Sequence, residues 1–244
     1  MIEITGPIAV RGAQPGDALR VTIQRIALPG WGMVWTAPWL GVLPDAALYE
    51  RRLQIRHGRV EFAPGIRLPV RPMVGFVGVA PADGPADCLA PGEHGGNLDT
   101  ITVASGSTVV LPVQVPEALL AIGDVHATMG EGEVIGISLE VGAEVTVAVD
   151  LLKGQAPPCP MVETGSHVAV LITDRRFKPA SRRAVRVMAD LLAARRGLAF
   201  EVAYALVGLA GDLRISQNVN PYGVTLRLEV PRDVWSGSEV SAQR

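Results

Sequence analysis

Ala18-Leu19-Arg20-Val21-Thr22-Ile23-Gln24-Arg25-Ile26 alternates with period two. Successive side chains of a strand point to opposite faces, so this pattern reads as a strand with one buried side. Pro15-Gly16-Asp17 before it reads as a turn. Working outward, Thr108-Val109-Val110-Leu111-Pro112-Val113, residues 134–141 and residues 144–152 read as further strands, the last two joined by a short turn at Gly142-Ala143. After the Pro-rich break at 155–160 the period changes: Ala184, Val187, Met188, Leu191 and Leu192 recur at three- and four-residue spacing, which places them on one helix face. Ser181 is the expected cap of that helix and Gly197 its expected end. A shorter apolar helix is expected over 201–209, with extended chain again at Arg214-Ile215-Ser216 and 224–230. The expected fold class is α+β and β-rich: a sandwich- or barrel-like lobe of short strands over 1–154 and a smaller carboxy-terminal helical/β lobe over 155–244. Both belong to a single domain, 1–244, with no internal repeat.

The composition agrees. A chain of 244 residues with 48% hydrophobic and 19% charged residues is too apolar for disorder and long enough for a good core. Its 27 glycines and 19 prolines are scattered, as suits many short strands and turns. A formal charge of -2, with arginines spread among acids, offers no basic field and argues against nucleic acid as a partner. Cys88 and Cys159 are too few and too far apart for a disulfide framework, which suits free thiols in a reducing compartment. The amino terminus lacks the basic start and apolar run of a secretory signal, and the apolar stretch 202–210 falls well short of the roughly 20 residues of a membrane helix. A cytoplasmic protein without a membrane partner is expected.

Two of the four histidines lie in Gly-rich segments dense with carboxylates, Gly92-Glu93-His94-Gly95-Gly96-Asn97-Leu98-Asp99 and Gly123-Asp124-Val125-His126-Ala127-Thr128-Met129-Gly130-Glu131-Gly132-Glu133. In extended backbone, Asp124 with His126, Asn97 with Asp99, and Glu131 with Glu133 each present two polar groups to one side. Imidazole nitrogen with carboxylate oxygen suits Zn²⁺ or another divalent ion that keeps a position open for water. Turn-forming Asp and Asn beside a hydrogen-bonded structural His is the other reading, and spacing does not choose between them.

Motifs in order along nearly the whole chain add a resemblance. Thr5-Gly6-Pro7-Ile8 with Gly12-Ala13-Gln14-Pro15-Gly16-Asp17, then Pro72-Met73-Val74-Gly75-Phe76-Val77-Gly78-Val79-Ala80-Pro81, then His94-Gly95-Gly96-Asn97-Leu98-Asp99 resemble segments of acetamidase/formamidase proteins. So do Leu111-Pro112-Val113, Gly123-Asp124-Val125-His126-Ala127, Gly132-Glu133-Val134 and Gly211-Asp212-Leu213-Arg214-Ile215-Ser216-Gln217. Where the family usually carries Gln and Asp, this chain has Met129 and Glu131.

The resemblance implies hydrolysis of a small amide such as formamide or acetamide to the carboxylate and ammonia, with a bound divalent metal. Zn is expected first, with Ca and Mn as alternatives. It further implies Asp99, Asp124 and His126 as metal ligands, Glu133 as general base, and His94 and Asn97 as groups that hold the carbonyl oxygen or the amide nitrogen. Glu140, an odd number of residues from Glu133, would face away on a regular strand and reads as a solvated or salt-bridged strand carboxylate. A silent small-molecule-binding homologue and a cyclic imide or ureide hydrolase are the competing functions. Trp31, Trp35 and Trp39 are expected in a loop that covers core or walls an apolar pocket, with Trp31 as a substrate-binding candidate. Structural roles are expected for His57 and His167, and a solvated face for Arg182, Arg183, Arg186, Arg195 and Arg196. The high apolar fraction, and a start almost on the Thr5-Gly6-Pro7-Ile8 motif, make a homodimer or higher homo-oligomer the expected assembly.

Overall fold

The computed structural model describes residues 3–236 and is built from three antiparallel sheets and two main helices. In chain order the strands are β1 (Ile4–Ile8), β2 (Ala18–Ala27), β3 (Trp31–Thr36), β4 (Tyr49–Arg56), β5 (Arg59–Ala63), β6 (Ile66–Pro69), β7 (Met73–Gly78), β8 (Gly95–Asn97), β9 (Thr108–Pro112), β10 (Leu120–His126), β11 (Glu144–Leu152), β12 (Met161–Glu163) and β13 (His167–Asp174). Helices α1 (Phe177–Arg196) and α2 (Phe200–Ala210) follow, then β14 (Asp212–Gln217), β15 (Val224–Pro231) and a short α3 (Arg232–Ser236). Among the described residues no helix is long and apolar enough to cross a membrane.

The large sheet runs β11-β2-β9-β12-β13-β15-β14, so it passes without interruption from the amino-terminal strands to the carboxy-terminal ones through the β9–β12 pairing. The sheet β1-β10-β7-β8 packs on it, and the period-two pattern of β2 shows why. Leu19, Val21 and Ile23 are wholly buried against Val74, Val77, Leu120 and Ile122 from that second sheet. Strand β13 carries the same alternation to both faces: Leu171 joins that sandwich core, whereas Val168, Val170 and Ile172 meet the helices. There Ala180, Ala184, Met188 and Leu192 of α1 close the other core, and full burial of a side chain such as Met188 or Leu192 is worth roughly 1.5–3 kcal/mol. Gly197 ends α1 in the left-handed conformation, as expected.

Several expectations need correction. Residues 134–141 form turns rather than a strand, with Gly136 at φ 80° and Val134 half exposed. Glu133 therefore does not stand at the head of a strand. Ser181 is not the cap of α1: the helix begins at Phe177 after an extended Arg176, and the Ser181 hydroxyl donates to the Lys178 carbonyl within it. Trp31 and Trp35 lie in β3, not in a loop. The β3-β4-β5-β6 sheet covers a small core of Leu53, Val60, Ala127 and Leu139.

Candidate active site

The two Gly-rich segments meet where β7 lies between β10 and β8. Strand β10 carries Asp124 and His126, and Asp99 follows β8 directly. Between them sits Gly75 of β7. A Cβ there would lie 2.6 Å from both Asp124 Oδ2 and Asp99 Oδ1, so only glycine lets the two carboxylates close over the strand. Glu133 enters from the 130–136 loop, whose Gly132 pairs with Gln217 at the end of β14. Glu140 enters by its backbone pairing with Met33 of β3 and by a bridge to His126.

The result is a buried cluster of four carboxylates around one imidazole. His126 Nε2 lies 3.5 Å from Asp124 Oδ1 and 3.3 Å from Glu140 Oε1. Asp99, His126 and Glu133 can converge on one point, as can Asp124, His126 and Glu140: in each trio the ligand atoms lie within 4.8 Å of one another. Asn97 donates from Nδ2 to Asp99 Oδ2 at 2.7 Å. Among the described residues, Asn97 Oδ1, Asp99 Oδ1 and His126 Nδ1 are buried without a hydrogen-bond partner, and a buried polar group left so costs about 1–3 kcal/mol. Three such atoms in one place are what a bound cation or polar substrate would satisfy.

The backbone is bent to make this geometry. Asp99, Asp124 and Glu133 all have positive φ, at 40°, 57° and 45°. For non-glycine residues such conformations cost about 1–3 kcal/mol each and concentrate at functional sites.

The electrostatics follow from crowding and burial. Desolvation, then the charges of Glu133 and Asp124, hold Asp99 well above the usual carboxylate range. Burial, with Asp124 and Glu140 adding to it against the opposing pull of His126, pushes Glu133 up to about 7. Burial also raises Glu140. For His126 burial works against the proton, yet the hydrogen bond to Asp124 and the charges of Glu140, Asp124 and Asp99 outweigh it and raise the imidazole to about 10. Four carboxylates around a single imidazole favour any cation among them, a proton on His126 included. The donor set, oxygen and imidazole nitrogen, suits Zn²⁺ or Mn²⁺, with carboxylates that also suit Ca²⁺.

The structure thus brings together Asp99, Asp124, His126, Glu133 and Asn97. It also brings in Glu140, which parity on an assumed strand had turned away. His94 is not in the cluster: its ring rests against Gly92 and Gly96, where burial lowers its pKa and Glu93 is its acidic neighbour. Trp31 also stands apart, on the outer face of β3 with the Arg52 guanidinium 4.0 Å from its ring centroid. Glu131 does not share a cavity with Glu133 but pairs with Arg227 at 2.6 Å. Sequence reasoning missed the layer behind the site. Arg227 also donates to Glu229 and to the Thr100 hydroxyl, and Ser216 donates to that same hydroxyl at 3.0 Å. A charged residue inside the apolar β15, Val224-Thr225-Leu226-Arg227-Leu228, was the available signal.

Comparison with known proteins assigns the chain to a family. Residues 82–237 match the Acetamidase/Formamidase family. The recombinant predicted acetamidase/formamidase of Thermoanaerobacter tengcongensis superposes with a TM-score of 0.90 at 40% identity, over 94% of this chain and 76% of its own. The acetamidase of Bacillus halodurans gives 0.90 at 39% identity, over 93% and 78%. A provisional formamidase of Schizosaccharomyces pombe is 26% identical, over 62% of this chain and 52% of its own. The chain spans about half the length of that curated relative. By sequence motif, fold and family match alike, the chain belongs to the acetamidase/formamidase family.

Proposed function

We propose that this chain hydrolyses the C–N bond of a small linear amide, releasing ammonia, at the Asp99–Asp124–His126–Glu133–Glu140 cluster with the help of a bound divalent ion. The observation that carries the reading is the set of unpartnered buried atoms, Asn97 Oδ1, Asp99 Oδ1 and His126 Nδ1, inside a family-matched pocket of carboxylates. Asp99, Asp124, His126 and Glu140 would hold the ion. When bound, it supplies a Lewis acid for the carbonyl and makes water a stronger nucleophile at neutral pH.

The chain's own groups do the rest. Glu133, raised to about 7, is poised to take a proton at neutral pH and return it to the departing nitrogen. Asn97 is oriented by its bond to Asp99, so its free Oδ1 accepts from the amide N–H₂. An ester or an ionised carboxylate offers no such donor, which selects for amides. His94 and Trp31 take no part in these steps. Unpaired Cys88 and Cys159 support a reducing, cytoplasmic setting. Val202, Leu209 and Leu213 lie exposed along α2 and the edge strand β14, which supports a homo-oligomer joined there. Light scattering at micromolar concentration tests this, and a monomer refutes it.

The test of function is ammonia release from formamide, acetamide, propionamide and cyclic imides after chelation and reloading with Zn²⁺, Mn²⁺ or Ca²⁺. Linear amides turned over only by metal-loaded protein are the expected result. Turnover of imides alone, or none in any loaded form, overturns it.

A further inference from the structure

The four-stranded sheet β3-β4-β5-β6 has an inner face on the Leu53–Val60 core and an outer face with a different character. Cross-strand pairing places Arg56 opposite Arg59, Arg59 opposite Pro69, and Glu61 opposite Arg67. Directly opposed residues share a face, and so do residues two apart. Arg52, Arg56, Arg59 and Arg67 therefore gather on one side. All four are exposed. Among the described residues none of the four lies within 4.0 Å of a carboxylate, Glu61 included, even though it faces Arg67 across the ladder. They line a cavity of about 600 Å³ that also takes in His57 at the β4–β5 turn.

Like charges directly opposite across a ladder destabilise it, and Arg56 against Arg59 is such a pair; Glu61 lines the same cavity but is paired to neither guanidinium. The arrangement becomes favourable when an anion sits between them. Guanidinium forks match phosphate oxygens two at a time, which lysine does not do as well. The volume falls within the roughly 300–1,000 Å³ of small-ligand sites. A long polyanion is disfavoured, because the protein as a whole carries -2 and offers no extended field to hold it. Arg52 is further fixed by its stacking on Trp31, so less freedom is lost when it binds.

We propose that this face is a binding site for a short oligophosphate, either inorganic or the phosphate tail of a nucleotide, separate from the carboxylate cluster. The proposal is independent of the amide chemistry. Isothermal titration with inorganic triphosphate and with a nucleoside triphosphate tests it, on wild type, on the double variant Arg56→Gln, Arg59→Gln, and on Arg182→Gln as a surface control of equal charge per site. Binding by wild type and Arg182→Gln, weakened at least 10-fold in the double variant, is expected, and affinity should fall as salt rises. Equal affinity for both probes assigns the site to the phosphate chain alone, and tighter nucleotide binding adds contacts to the base; each supports the proposal. Relief of the Arg56–Arg59 opposition should leave the double variant's melting temperature unchanged or higher, so lost binding is not lost fold. No binding by wild type, binding unchanged in the double variant, or binding only of a single-stranded oligonucleotide overturns it.

Discussion

Stripped of divalent ions, this protein should lose thermal stability as pH rises through the range where most proteins gain it. The perturbation is pH, and Glu133 sets the window. Its carboxyl sits at about 7 in the fold against an ordinary 4.5. The folded state thus keeps a proton that the unfolded chain has already released. The resulting stability is fully present below 4.5 and lost as pH climbs through 7. At about 1.4 kcal/mol per pH unit the loss is about 3–4 kcal/mol, which for a chain of this size is about 6–16 °C in Tm. Asp99 and Glu140 are raised in the same direction and deepen the loss. His126, at about 10 against 6.5, carries it on to higher pH, because its stabilising proton is also released there. Carboxylates elsewhere act the other way: Lys153 and the Gly154 and Gln14 amides hold Asp17 down at about 2, so its contribution is lost only in acid. The assay is therefore a difference, Tm of wild type minus Tm of Glu133→Gln, measured by calorimetry in chelator from pH 4.5 to 8. The difference should shift against wild type by several degrees across the window. Zn²⁺ or Mn²⁺ should reverse it, most strongly at high pH and with release of protons. A flat difference that divalent ions do not change refutes the reasoning.

Three further outcomes are expected. Glu133→Gln keeps shape and metal while turnover falls by roughly 10²-fold or more, and near-normal kcat in a folded, loaded variant would remove its catalytic role. Gly75→Ala forces a Cβ to 2.6 Å from Asp99 and Asp124 oxygens, so metal content and turnover should both drop, with stability lower by about 1–3 kcal/mol. Elemental analysis should find roughly one divalent ion per chain in wild type and little or none in the double variant Asp124→Ala, His126→Ala; equal content in both would sink the ligand assignment.

The parts of the fold that were legible in sequence are those where a single buried face imposes a period. Leu19, Val21 and Ile23 alternate because two sheets meet there, and Met188 and Leu192 recur at helical spacing because α1 lies on a sheet. Residues 134–141 misled for a physical reason. Their β-branched residues look strand-like, but the chain turns at Glu133 and Gly136, so the segment forms no run of ladder rungs. Once the strand is gone, so is the parity rule that had excluded Glu140. The start of α1 was legible in principle: Pro179, in the first turn, suits a helix that begins at Phe177 better than one capped at Ser181.

The ligand-bearing residues were legible by type, whereas their convergence was not, because it rests on three positive-φ residues that no periodicity encodes. Something must hold Asp99, Asp124 and Glu133 in those conformations, and the structure shows the restraints one by one. The Asp99 amide donates to the Gly75 carbonyl, and the Asp124 amide reaches the Glu3 carbonyl. The Glu133 loop is pinned on both sides of Gly132, whose amide donates to Ser216 while its carbonyl accepts from Asn218. Arg227 then ties Glu131 of that loop to Thr100, the residue after Asp99. Glu131, a departure from the family pattern, has a partner in the buried arginine. One guanidinium links the loop of the proposed base to the turn of a proposed ligand, so the strain at both is shared with β14 and β15 directly behind the cluster.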